Sequence, residues 1–288
     1  MRTFNTLILF FCFKLTAFGT GQITDMIVYK GDTLSFSSHT YPLEYYPNRE
    51  LITTRSLFGR EIGSCCTCCW RGYIAIWKII DNKLYLTKIK NYCYLSYMRN
   101  VEAYNNVGIG IDSIGSEFAD LKTLFPERYE NEKVFADWFT GSIATPQGKS
   151  LFYVPTQEQY TYERELEFYF EQGILKWTKL HDNSKSKQSE YSQDAEKRMK
   201  YIYNNIKWDI LPKQDSCRVI LRFSANEEGV IDDVSVVRGY NEIFDQEAIR
   251  VLKSIPEWDV YFSKGKLVRI YFSIPIDFRE STRLKYKE

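Results

Sequence analysis

The run from Cys217 to Trp258 leaves the chain little conformational choice. "CRVILRFSA" sets Val219, Leu221 and Phe223 on one face of a strand by their period of two. "NEEG", Asn226 to Gly229, is turn chemistry, and "VIDDVSVVRG", Val230 to Gly239, reads as a second strand. The spacing then switches to helical. Phe244, Ala248, Val251, Leu252 and Ile255 form one apolar stripe. Asp245 or Asn241 can cap the start of this helix, and Pro256 prevents its continuation. Upstream, Ala195, Met199, Ile202 and Ile206 recur at helical spacing until Pro212. Downstream, Lys266 to Phe278 reads as one closing strand. The order α-β-β-α-β builds a small sheet with helices packed on one side.

The chain before this segment has a different texture. Aromatic residues make up 16% of the sequence, with 22 Tyr and 19 Phe, and flat rings suit a pleated, half-buried surface. Gly72 to Ile89 is two strand-like runs around an Asp81-Asn82-Lys83 turn. Lys149 to Thr156 reads as a strand stopped by Pro155. Tyr162 to Leu180 reads as a hairpin turning at Glu171-Gln172-Gly173, with Leu166, Phe168 and Phe170 on one face. Asn131 to Gly148 looks like a short helix or loop, ending its apolar part at Gly141. The expectation is an α+β protein. A mostly antiparallel β-rich domain over 22–180 precedes a polar linker over 181–193. The α-β-β-α-β domain over 194–279 and a charged tail over 280–288 follow.

The segment from about Ala195 to Phe278 resembles the TonB C-terminal domain family. The likeness lies in an ordered set: a leading helix ending before "ILP", the strand "VILRFSA" with its Gly229 turn, "VIDDVSVVRG", "FDQEAIRVLKSIPEW" and "GKLVRIYFSIPIDF". It covers roughly the last third of the chain and does not extend to the first 180 residues. The resemblance implies a domain that faces the periplasm. It grips an extended segment of an outer-membrane TonB-dependent transporter, or another envelope protein, by β-strand addition. It also implies that the last strand is the docking edge, with Val268, Ile270, Phe272 and Ile274 along it and Arg269 beside them. A homodimer stays open. For Val219, Leu221, Phe223, Ala248 and Leu252 the plainer reading is core, and for Trp258 core outweighs a contact surface.

The amino terminus departs from an energy transducer. Arg2 is followed by the apolar run Leu7 to Phe13, interrupted at Lys14, and by small residues at Ala17, Gly19 and Gly21. That is the pattern of a secretory signal peptide over residues 1–21. A spanning helix needs about 20 apolar residues. The expectation is therefore a periplasmic protein, with an inner-membrane anchor facing the periplasm as the alternative. A cleaved protein has no attachment through which to receive force, so an interaction or scaffold protein outside energy transduction is the alternative function.

Of seven cysteines, Cys12 lies in that leader, leaving Cys65, Cys66, Cys68, Cys69, Cys93 and Cys217. An exported chain permits disulfides, and disulfide or buried structural cysteines lead the reading. The two C-x-x-C pairs overlap within five residues, which is cramped for tetrahedral metal binding. A redox role lacks its βαβ context. No metal or cofactor is expected.

The remaining classes find little support. Net charge is +1, which gives no electrostatic footprint for nucleic acid. There are two histidines, His39 and His181, and no nucleophile elbow, phosphate loop or H-E-x-x-H. Asp232 and Asp233 are adjacent on a strand and point to opposite faces. Gly108 to Gly115 lacks the Lys-Ser/Thr ending of a phosphate loop and reads as flexible loop. No enzyme is expected.

Overall fold

A computed structural model describes residues 22–37, 39–62, 66–154, 159–212 and 216–286. The expected signal peptide lies outside them. Among the described residues no helix is long and apolar enough to cross a membrane.

The chain begins with a short hairpin, β1 (Met26–Tyr29) and β2 (Asp32–Ser35). A capped turn of helix, α1 (Thr54–Phe58), leads to the longer hairpin β3 (Tyr73–Ile80) and β4 (Lys83–Asn91). Asp81 and Asn82 take positive φ at its tip, which Asn and Asp tolerate better than most residues. Two helices follow, α2 (Tyr92–Arg99) and α3 (Val101–Asn106), then α4 (Leu121–Leu124). Asn91 nucleates α2 by accepting the Tyr94 N–H, so the β-rich part carries more helix than its pattern suggested. Residues 131–148 are not a helix or plain loop. β5 (Tyr129–Glu130) and β6 (Lys133–Phe135) form a small hairpin, and Gly141 opens β7 (Gly141–Val154). β8 (Gln159–Glu171) and β9 (Ile174–Asp182) complete the sheet. Gly173, at φ +73°, turns between them. A Cβ there would meet the Ala136 carbonyl oxygen at 2.5 Å.

The main path of this sheet is β2-β1-β3-β4-β9-β8-β7, with β1 parallel to β3 and the other pairs antiparallel. It curls until its ends meet, where the Ser37 N–H donates to the Ala144 carbonyl at 2.8 Å. The curl encloses Trp77, Leu84, Leu86, Ile143, Phe168 and Phe170, all at 0% exposure.

The second unit opens with α5 (Glu190–Gln193) and α6 (Ala195–Asn205). β10 (Cys217–Ala225) is its central strand, between β11 (Ile231–Arg238) and the last strand. α7 (Glu242–Lys253) starts where the Asn241 side chain accepts the Phe244 N–H. Asp245 reaches back to the Tyr240 N–H at 2.9 Å, so both cap candidates take part. After α7 come the two-residue strands β12 (Phe262–Ser263) and β13 (Lys266–Leu267), then β14 (Phe272–Phe278). α8 (Glu280–Tyr286) closes the chain with Tyr286 stacked on Tyr203 of α6, ring centroids 5.1 Å apart. Val219, Leu221, Phe223, Ala248, Val251, Leu252 and Ile276 build a core separate from the first.

The expected closing strand Lys266–Phe278 is thus broken in two. Residues 268–271 have other partners. The Val268 N–H donates to the Tyr261 carbonyl at 2.8 Å. Arg269 crosses the open face of the sheet to a bidentate pair with Asp232 at 2.6 and 2.9 Å. The Tyr271 hydroxyl donates to Asp233 at 2.8 Å.

Residues 183–189 run as a hydrogen-bonded strap along residues 257–265. Lys187 and Val260 exchange both backbone bonds at 2.9 Å. Ser189 accepts nothing from this partner but donates twice, its N–H to Asp259 at 2.7 Å and its hydroxyl to the Glu257 carbonyl at 2.9 Å. Asn183 donates to Glu165 at 3.0 Å and accepts the Gly265 N–H at 2.9 Å. His181, Asn183, Ser186 and Ser189 are buried while the residues between them are exposed, so the segment that read as a linker turns four of its polar side chains inward against the two units.

Candidate functional site

β10 is paired on both sides, so β14 and β11 are the edges of the second sheet. Backbone groups along an antiparallel strand alternate between facing the neighbour and facing away. On β14 the phase is set by two residues. The Asp277 N–H donates to the Tyr203 hydroxyl at 3.0 Å, so Asp277 faces away from β10. Two residues back, Pro275 sits in the same phase and has no N–H to lose. Ser273, two further back, turns its N–H and C=O outward in the same way. Phe272, Ile274, Ile276 and Phe278 face β10 with their backbones and the helices with their side chains. They pair with Phe223, Leu221, Val219 and Cys217.

The edge is therefore short and graded. Its Asp277 donor is occupied, Pro275 offers only a carbonyl, and Ser273 offers both groups. The outward-facing donor and acceptor pair of β14 therefore lies in its amino-terminal half, at Ser273.

That half is also where an apolar cleft begins. The cavity of about 630 Å³ is lined by Ile270, Phe272, Ser273 and Ile274 on one side. Phe272 and Ile274 point to one face of the sheet and Ser273 to the other, so the cleft runs along the edge of β14 rather than across a face. Phe223 and Trp258 form the floor with Phe272 as a three-ring cluster. Their centroids lie 4.9 Å apart for Phe223 and Trp258, 5.5 Å for Trp258 and Phe272, and 5.9 Å for Phe223 and Phe272. Trp258 is 4% exposed, which is the core position its type favours. Its backbone N–H donates to the Gly229 carbonyl at 2.8 Å, which fixes the turn after β10 to the floor.

Arg198 and Asp259 give the cleft a polar rim. Arg198 donates to the Tyr191 carbonyl at 2.7 Å and the Ser192 carbonyl at 3.2 Å. Its pKa lies below the usual range because burial disfavours its charge. Asp259 takes the Ser192 hydroxyl at 2.5 Å along with the Ser189 N–H. Burial still outweighs those bonds and pushes its carboxyl up.

Of the residues expected at the docking edge, Phe272 and Ile274 are in β14 and Ile270 lines the cleft ahead of it. Val268 and Arg269 lie before the strand, and Arg269 is held by Asp232. Sequence reasoning missed the opposite wall, Leu151–Val154 at the end of β7, and Gln188, Ser192, Gln193 and Arg198 from the strap and α5–α6. No local pattern points to these residues, because only the packing of the two units brings them to β14.

The cysteines lie elsewhere. Cys66 and Cys68 form a disulfide, and Cys93 is also disulfide-bonded. Cys69 and Cys217 are buried thiols, Cys217 within the second core. Cys65 is outside the described residues. Among the described residues no group of three or more His, Cys, Asp or Glu side chains could hold a metal ion. Burial pushes the Cys69 thiol pKa up, against the pull of Arg71, which disfavours a reactive thiolate. The nearby charged cluster is structural in form. Asp25, at 0% exposure, takes Arg71 at 2.9 Å, the Trp77 indole N–H at 3.1 Å and the Ala75 N–H at 3.1 Å. His181 ends β9, buried, with its ring 2.8 Å from Glu167.

No curated protein and no solved structure matched the chain when compared with it. Residues 213–279 match the family model described as Gram-negative bacterial TonB protein C-terminal. The matched stretch takes in β10 to β14, the sheet whose edge borders the cleft, so the expected resemblance is met over about the last quarter of the chain.

Proposed function

We propose that this protein is a non-enzymatic periplasmic binding component linked to TonB-dependent transport. Its C-terminal domain takes up an extended segment of an outer-membrane transporter, or of another envelope protein, by strand addition at β14. The observation that carries this reading is the outward-facing N–H and C=O of Ser273, on an edge strand of a domain type that interacts with envelope proteins. Main-chain pairing supplies the affinity, so Phe272 and Ile274 contribute chiefly by holding the strand flat against its core.

The test is a Ser273→Pro variant. Because this N–H faces away from β10, proline removes the docking donor and leaves the β10 ladder intact. Binding of an amino-terminal transporter peptide should fall about five- to 150-fold, as loss of paired backbone groups costs about 1–3 kcal/mol. Near-UV circular dichroism should stay unchanged. Unaltered binding would refute strand addition at this edge.

One observation favours a scaffold instead of a force transducer. The strap from Asn183 to Ser189 fastens the domain to the chain's own β-rich part through part-buried bonds, where a transducer needs a long free spacer. Measuring whether the chain remains attached to membranes after its amino terminus is mapped by mass spectrometry separates the two.

A further inference from the structure

The β-rich unit ends its last sheet strand at the cleft. Leu151, Phe152, Tyr153 and Val154 of β7 stand across from Ile270, Phe272, Ser273 and Ile274. Successive residues of a strand point to opposite faces. Four consecutive lining residues on β7 therefore mean that the cleft follows that strand's margin, as it follows the margin of β14. Phe152 reaches the C-terminal unit directly, its ring centroid 6.5 Å from that of Tyr261. The strap fixes the separation of the two walls, because Lys187 pairs with Val260, next to Tyr261.

Trp258 Nε1, in the floor of the cleft, is buried without a hydrogen-bond partner among the described residues. Such a group is costly to leave buried.

Resting on the strand-addition reading above, we propose that the cleft is a two-walled slot. One extended peptide segment lies on the β14 edge at Ser273 with a bulky apolar side chain seated between Phe152 of the β-rich unit and the ring cluster of Trp258 and Phe272. The β-rich unit is then the selectivity element for the peptide that the C-terminal domain pairs with. An extended occupant follows from the outward backbone groups of Ser273. An apolar side chain follows from the lining, and the cavity of about 630 Å³ has room for a Leu- or Phe-sized group with flanking backbone.

The test uses the full chain and two fluorescein-labelled probes, Ac-Thr-Val-Thr-Leu-Thr-Val-Thr-amide and the same peptide with serine in place of leucine. On the unaltered protein the leucine probe should bind about tenfold or more tightly than the serine probe, the worth of one buried leucine. Phe152→Ala should shrink that preference to about threefold or less while the serine probe keeps its affinity, and Phe152→Leu should restore most of it. Ser273→Pro should abolish binding of both. If Ser273→Pro abolishes binding but Phe152→Ala leaves the preference intact, the second wall is wrong and strand addition stands. If Ser273→Pro changes nothing, the strand-addition reading falls with it. No preference for leucine on the unaltered protein, or no binding of either probe, overturns the slot.

Discussion

In the β-rich unit the two ends of the sheet come together, with the Ser37 N–H on the Ala144 carbonyl. In the C-terminal unit β11 and β14 stay apart on either side of β10. The first arrangement leaves little edge for another chain and encloses a core seeded with aromatic residues. The second uses helices on one face and leaves β14 available at Ser273. Under the strand-addition proposal, stability and docking are divided between the two sheets. A sheet that closes on itself gains burial on its inside, while a sheet that must accept a neighbour has to leave one row of backbone groups unmet.

This contrast can be broken most strongly at Asp25. Its carboxylate is fully buried and holds Arg71, Trp77 and Ala75 together. Asp25→Ala leaves a buried guanidinium without its partner and should cost about 3–5 kcal/mol. Thermal melting followed by near-UV circular dichroism should drop steeply. If the two sheets are separable, hydrogen exchange at Leu221 and Phe223 of β10 should persist after β3 and β4 have opened. Simultaneous opening of all four strands would show one cooperative unit.

The strap is the next target. Ser189→Ala removes the hydroxyl bond to the Glu257 carbonyl and the cap that accepts the Tyr191 N–H at the start of α5, but keeps the N–H bond to Asp259, and should cost about 1–3 kcal/mol. Its more telling readout is the distance between spin labels on β9 and α7. A broader distribution in the variant would show that the strap holds the units in register, whereas an unchanged one would assign that task to the other contacts.

The smallest effect concerns pH. Burial pushes the Glu167 carboxyl up, but bonds from Lys264 at 2.6 Å and His181 at 2.8 Å outweigh it and hold the pKa below 4.5. A lowered native pKa gives stability that is present above 4.5 and lost as pH falls through the native value. Glu247 behaves alike. Burial acts upward, and Arg250 with the Lys207 N–H acts more strongly downward. Glu167→Gln should flatten the acid limb of the stability curve between pH 5 and the native pKa, with Glu247 supplying what slope remains. An acid limb as steep as in the unaltered protein would mean that the Glu167 contacts carry no linkage.

Much of the C-terminal unit was legible because its signals are local. Phe244, Ala248, Val251 and Leu252 mark a helix face, Asn241 and Pro256 punctuate it, and Val219, Leu221 and Phe223 mark a strand face. The closing strand misled for the opposite reason. "KLVRIYF" has strand texture throughout, but Arg269 and Tyr271 are drawn across the sheet to Asp232 and Asp233. His181 and Ser189 looked like linker because polarity alone does not distinguish a solvated residue from one with a buried partner. Phe152 gave no sign of its place in the cleft, since that place depends on a neighbour more than 100 residues away, Tyr261.

The sequence by itself determined which residues become strand, helix and turn in the last third, and with them the likeness to the TonB C-terminal family over residues 213–279. Periodicity and capping act over a few residues and need no distant partner. Only the tertiary structure decided that the first sheet curls on itself, that Asn183, Ser186 and Ser189 of the strap are buried, and that β7 and β14 face one another across a cleft. Those outcomes depend on contacts between residues far apart in the chain, which no short-range pattern encodes.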